Sequence, residues 1–149
     1  MAACCSVEKQ KIVKDQCPAC GETGKSVPVS TMHQQIRFPD NLSIPPATFY
    51  YCASPDCKAG YFTNNGITFQ KSQLREQEKI ASGWLCYCFD ISKANYRTAL
   101  ENHKAEDIKN FVIDQTKNDS CTCTTRNPSG QCCLADFKRF EKDYRNEQR

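Results

Sequence analysis

The chain has 149 residues, of which 39% are apolar and twelve are cysteine, with 20 basic against 17 acidic side chains for a formal charge of +3. That length fits one or two small domains, and so thin an apolar supply favours small cores held by metals over one large core. The mild charge, interspersed along the chain, gives no electrostatic footprint for nucleic acid; no run approaches the ~18 apolar residues of a membrane span, and no Ser-His-Asp set, phosphate loop or pair of carboxylates placed about a cleft marks a hydrolase.

Residues 1–14 are polar, carry Cys4-Cys5 and read as a tail. The stretch from Met1 to Gln10 lacks the basic segment and apolar run of a secretory signal, so a reducing, cytoplasmic setting is expected. In such a setting cysteines are more often metal-binding or catalytic than disulfide-paired. Residues 15–75 hold two cysteine pairs among β-branched and aromatic residues and read as a β-rich module. Within it, Gly60-Tyr-Phe-Thr63 and Ile67-Thr-Phe69 flank Asn64-Asn65-Gly66, where Asn-Gly supplies the positive φ angles of a tight hairpin turn. Residues 71–83 are strongly polar and read as a linker.

From residue 84 to 149 the pattern turns helical. Ser92 is placed to cap a helix whose apolar side is Ala94, Tyr96 or Ala99, and Leu100, ending near Asn102-His103. A second helix is expected from about Ala105 to Thr116, with Ile108, Phe111, Val112 and Gln115 at helical spacing and Glu106 and Asp107 suited to its N-terminus. After the turn Asn127-Pro128-Ser129-Gly130, Leu134, Phe137, Phe140 and Tyr144 mark a C-terminal helix. Its basic residues alternate with Glu141, Asp143 and Glu147, the pattern of a solvated face.

The chemistry lies in the cysteines. Cys17-Pro-Ala-Cys20-Gly21 and Cys52-Ala-Ser-Pro-Asp-Cys57 each put two thiolates on one tight turn, and two such knuckles make a closed tetrahedral site for zinc, or for a single iron, that stabilises and does not catalyse. His33 follows Cys20, but no second histidine stands three to five residues on, so a Cys2His2 finger is excluded; neither His33 nor His103 is given a role. The second constellation is Cys86-Tyr-Cys88, Cys121-Thr-Cys123 and Cys132-Cys133. Four of these thiolates can hold a [2Fe-2S] cluster, and spacing alone leaves a second zinc site as its competitor.

In order, a Cys-Pro-x-Cys knuckle, a second knuckle before Tyr61-Phe62, then Cys86-Tyr-Cys88 and Asn127-Pro-Ser-Gly-x-Cys132-Cys133 resemble the N-terminal region of CopZ-type iron-sulfur copper chaperones over residues 15–135. The second part is also similar to bacterioferritin-associated ferredoxin (BFD) and the central segment of NifU. The resemblance implies zinc on Cys17, Cys20, Cys52 and Cys57, and a [2Fe-2S] cluster on Cys86, Cys88, Cys123 and Cys133. The last pair follows the family spacing; Cys121 and Cys132 are left without a role or as a fallback pair. In that family the cluster is associated with reducing Cu(II) so that Cu(I) is handed on, and the best-known members carry a further Cys-x-x-Cys copper-carrier domain, which residues 136–149 do not supply. Cys4-Cys5 is then a candidate site for Cu(I) or another soft ion such as mercury.

The expected architecture is therefore α+β, with a small β-rich zinc-knuckle module at 15–75 and a mostly helical, BFD-like [2Fe-2S] module at 84–149. The expected function is a cytoplasmic redox accessory protein that reduces or passes on a soft metal ion, copper first, with a metal-transporting or redox protein as partner and one-electron metal reduction as its only enzyme-like step. The alternatives are an electron carrier or scaffold without metal cargo, and a metal-stapled interaction module.

Overall fold

The structure is a computed structural model that describes residues 14–118, 120 and 122–148; Cys4, Cys5 and Cys121 lie outside them. The first half is a five-stranded antiparallel sheet in sequence order, β1 (Lys14–Gln16), β2 (Thr23–Val27), β3 (Phe49–Tyr51), β4 (Ala59–Phe62) and β5 (Thr68–Gln70). Alternation along the strands sends neighbouring side chains to opposite faces. Tyr50 and Phe62 pack on one face with Cys17, Cys52 and Cys57, while Phe49, Tyr61 and Phe69 pack on the other with Met32, Ile36 and Leu74. Gly24 is required in β2, since a Cβ there would meet the Tyr51 carbonyl oxygen at 2.7 Å and the Phe62 ring at 2.8 Å.

The β4–β5 hairpin forms where Asn64-Asn65-Gly66 places it, with Phe62 opposite Thr68. Its loop is longer than a two-residue Asn-Gly turn. The Thr63 carbonyl accepts from the Gly66 N–H at 3.3 Å, the Thr63 N–H donates to the Ile67 carbonyl at 2.9 Å, and Gly66 alone takes positive φ, at 99°. This is a type I turn closed by one left-handed glycine.

Helix α1 (Val29–Gln35) is not foreseen by the sequence pattern. It has seven residues, five of them polar, and buries Thr31, Met32 and Gln35, so it offers no apolar period to read. The expected linker at 71–83 is also corrected. It folds into a 3₁₀ turn at Lys71–Gln73 and helix α2 (Gln77–Ser82), and Leu74 and Ile80 enter the core on the α1 face of the sheet. Two apolar residues in a polar run are enough to dock it.

The second half begins with a short hairpin, β6 (Trp84–Cys86) and β7 (Ile91–Ser92), followed by α3 (Lys93–Glu101), α4 (Ala105–Lys117), α5 (Cys123–Arg126) and α6 (Leu134–Glu147). Ser92 caps α3 as expected: its hydroxyl accepts from the Asn95 N–H at 2.9 Å and the Asn95 side chain accepts from the Ser92 N–H at 3.1 Å. Tyr96, Ala99, Val112 and Phe137 form the core with Leu85 and the cysteines at 86, 123 and 133. Tyr96 meets Phe137 edge-on at 4.9 Å, and its hydroxyl donates to Glu141. Ala94, expected on the apolar side of α3, is exposed. So is Phe111, which is 48% exposed and leans its ring edge-on against Phe89 at 5.3 Å. The architecture is α+β, and among the described residues no helix is long and apolar enough to cross a membrane.

Candidate metal centres

The first set is built by two tight turns at strand ends. Cys17 follows β1, and its carbonyl accepts from the Gly21 N–H at 2.8 Å, with Gly21 at φ 80° closing the knuckle. Cys52 leaves β3 and Cys57 precedes β4, with the Cys57 N–H on the Ser54 carbonyl at 3.3 Å. The four sulfurs all lie within 4.8 Å of one another. Cys17 and Cys57 are 3.8 Å apart and Cys20 and Cys52 3.6 Å. Sulfurs each bonded at ~2.3 Å to one tetrahedral ion sit about 3.8 Å apart, so the set matches a single zinc-sized ion. Cys17, Cys52 and Cys57 are buried and Cys20 faces solvent.

Burial pushes the Cys52 thiol up to about 12 and also raises Cys57. Burial acts the same way on Cys17, but the Cys20 and Ala19 N–H groups and the neighbouring thiols outweigh it and leave Cys17 below the ordinary thiol range.

Lys71 is a part of this site that sequence reasoning missed. It is buried, and its ammonium donates to the carbonyls of Ser54, Cys57 and Ala59 at 2.7, 2.8 and 2.9 Å. The ammonium thus ties down the second knuckle and sets a positive charge beside the thiols, which favours the thiolate of Cys52. In a stretch that reads as a polar linker, no local signal distinguishes this lysine from its exposed neighbours.

The second set is gathered from three separate segments. Cys86 ends β6, Cys88 lies in the β6–β7 turn, Cys123 opens α5 and Cys133 occupies the N-cap of α6. Cys88 and Cys123 have sulfurs 3.5 Å apart, and the strongest thiol interactions run in a ring from Cys88 to Cys123, Cys133, Cys86 and back. Cys86, Cys123 and Cys133 are buried and Cys88 is partly exposed. The Phe89 N–H points at the Cys86 sulfur at 3.3 Å, and the Thr122 N–H and hydroxyl point at the Cys88 sulfur at 3.1 and 3.8 Å. Hydrogen bonds from Cys123, Cys86 and Thr122 hold the Cys88 thiol down, at about 3, whereas donating to Cys123 and Cys86 pushes Cys133 up. Thr122 carries no sequence signal, because its role depends on a segment 34 residues away.

The structure thus brings together the thiols of Cys17, Cys20, Cys52 and Cys57, and separately those of Cys86, Cys88, Cys123 and Cys133. Cys132 is disulfide-bonded and so is not among the free thiols. His33 is exposed, and His103 sits at φ 59° just past α3, where its N–H donates to the Leu100 carbonyl at 3.3 Å.

Comparison with known proteins bears on the first set. Residues 14–75 match the family model zf_CopZ, a zinc binding domain. No curated protein matches the chain. Among solved structures, the X-ray structure of the Archaeoglobus fulgidus CopZ N-terminal domain is similar, with a TM-score of 0.67 at 23% identity, covering 85% of this chain and 98% of that one. The zinc binding domain accounts for the four-thiol tetrahedron, and the similarity of fold runs beyond it into the helical half.

Proposed function

We propose that this is a zinc- and [2Fe-2S]-containing accessory protein for soft-metal handling, with copper as its first cargo, that reduces the incoming ion and passes it on. The observation that carries the reading is the presence of two separate four-thiol sets within one fold, a zinc-sized tetrahedron and a second set whose sulfurs at Cys86 and Cys88 receive backbone N–H groups. Cys17, Cys20, Cys52 and Cys57 hold zinc as a structural ion with no open coordination position. Cys86, Cys88, Cys123 and Cys133 hold the cluster. Their donor set fits it, with four thiols gathered from three segments and backbone N–H groups already aimed at two of the sulfurs. A [2Fe-2S] centre supplies one electron at a time, at a potential tuned by such hydrogen bonds and by exposure. Cys88 is partly exposed and Thr122 is exposed, so the edge of the ring they form faces an incoming ion.

Copper belongs to this reading through the resemblance to CopZ-type chaperones. The test is to purify the protein without oxygen, assay iron, sulfide and zinc, reduce it chemically, remove the reductant and add Cu(II). One Cu(I) should appear per cluster, trapped by a colorimetric Cu(I) chelator, while the visible bands return to their oxidised form. Bands that stay reduced in excess Cu(II), with iron and sulfide intact, would replace copper handling by electron transfer to a protein partner.

A further inference from the structure

The segment from Cys123 to Gly130 carries one thiol of the second set and leads to another, and it is held from both halves of the molecule: Cys123 lies in the helical half's core, while several of the carbonyls that follow it are bonded from the zinc-binding half. Helix α5 has four residues, so its carbonyls find few partners within the helix. The Cys123 carbonyl accepts from the Asn127 N–H at 3.0 Å, and the donors to the next three come from the zinc-binding half. The Thr31 hydroxyl donates to the Thr124 carbonyl. The Gln35 side-chain amide donates to the carbonyls of Thr125 at 2.7 Å and Arg126 at 2.9 Å, and the Tyr61 hydroxyl donates to Pro128. All three donor residues are buried, at 0%, 1% and 0% exposure. Gly130 closes the same contact: a Cβ there would meet the Thr31 hydroxyl at 2.8 Å and Pro28 at 3.0 Å.

Gln35 is the most telling of these residues. Its Oε1 is buried without a hydrogen-bond partner, a cost that native structures rarely retain without a reason. Its two N–H donors are both spent on α5. Behind it, Met32, Ile36 and Tyr61 pack on the sheet face opposite the zinc thiols, and Cys52 and Cys57 flank strands of that same sheet.

We infer that the zinc-binding half is a clamp on the second thiol set, with Thr31, Gln35 and Tyr61 as positioning residues that hold residues 123–130 in place and make that segment's order depend on zinc. Zinc then does more than fold its own sheet: its loss frees the strands and α1 from which the donors project, and Thr124, Thr125 and Arg126 lose the partners of their carbonyls. The consequence for iron rests on the cluster reading above; the clamp itself does not.

The test uses the full chain. Hydrogen exchange by mass spectrometry is followed across residues 123–130 in zinc-loaded, iron-free protein, for wild type, Gln35→Met and Tyr61→Phe, with zinc content measured in each. Leaving one buried carbonyl without a donor should speed exchange in the segment about tenfold, and losing two should speed it more. Removing zinc from the wild type should have at least the effect of Gln35→Met. In iron-loaded protein both variants should lose their visible bands to an iron chelator about tenfold faster than wild type. Should Gln35→Met fail to fold, Tyr61→Phe, which deletes a single hydroxyl, decides. Unchanged exchange at 123–130 in a variant that keeps its zinc would overturn the positioning role, and protection that survives zinc removal would overturn the coupling. A wild type that assembles no iron and sulfide would refute the cluster while the exchange comparison still judges the clamp.

Discussion

The two thiol sets gather four cysteines each by different means. In the sheet, each pair sits on one turn and the strands bring only two knuckles together, so local backbone geometry does most of the assembly. In the helical half the four thiols come from a hairpin strand, its turn, a four-residue helix and a helix N-terminus, and their convergence depends on how those segments pack. A knuckle site is therefore nearly self-contained, whereas the ring is a product of tertiary structure and inherits every weakness of the segments that bear it.

The largest test of that contrast is zinc removal. A structural zinc supplies roughly 10–16 kcal/mol of apparent binding free energy at neutral pH, as much as the whole stability of a typical domain, about 5–15 kcal/mol. Chelating zinc, or replacing Cys52 with serine, should therefore abolish the cooperative unfolding transition of residues 14–75, measured by exchange protection of strands β2 to β4. A sheet that stays protected without zinc would mean that the Tyr50, Phe62 and Phe49 cores suffice and that the knuckles are accessory.

A second test works on the ring. Cys123→Ser should bleach or shift the visible bands of iron-loaded protein, while Cys132→Ser should leave them in place, because Cys123 faces Cys88 at 3.5 Å and Cys132 is bonded elsewhere. The opposite result would keep the cluster and reassign its ligands.

The same contrast explains what was legible in the sequence. Cysteines separated by two and four intervening residues announce their own turn, so Cys17, Cys20, Cys52 and Cys57 could be read as one group, and Ser92 announced the start of α3. Choosing Cys123 and Cys133 over Cys121 and Cys132 took a family spacing, since four cysteines in two close pairs offer no local reason to prefer either member. Helix α1, the docked segment at 71–82 and Thr122 were not legible at all. Each owes its place to partners far along the chain: Thr31 and Gln35 to carbonyls at 124–126, Leu74 to a core made by α1 and the sheet, and Thr122 to Cys88. Phe111 was misplaced for the opposite reason, because its helical period is real but it stays half exposed, with its ring leaning on Phe89.

The smallest of the expected effects sharpens the claim that the knuckle site is self-contained, because Lys71 braces it from outside the two turns. The ammonium satisfies three carbonyls of the Cys52–Cys57 turn and its exit, and it offsets part of the negative charge that four thiolates leave on a zinc site. Lys71→Met keeps the length and apolar stem of the side chain and removes both functions. The three carbonyls lose a buried donor, which costs about 1–3 kcal/mol for each that stays unsatisfied, but the variant no longer has to bury a cation, and that gain offsets much of the loss. A net destabilisation of about 2–4 kcal/mol follows, with zinc affinity lower by the ~10–100-fold typical of losing a hydrogen-bonding partner of a metal ligand. Competition against a chromophoric zinc chelator, alongside the melting temperature of the zinc-loaded protein, measures both. Lys71→Arg should recover the charge but not the fit, since a planar guanidinium cannot aim three N–H groups as a tripod does. Zinc affinity within twofold of wild type in Lys71→Met would show that the two turns hold the ion unaided.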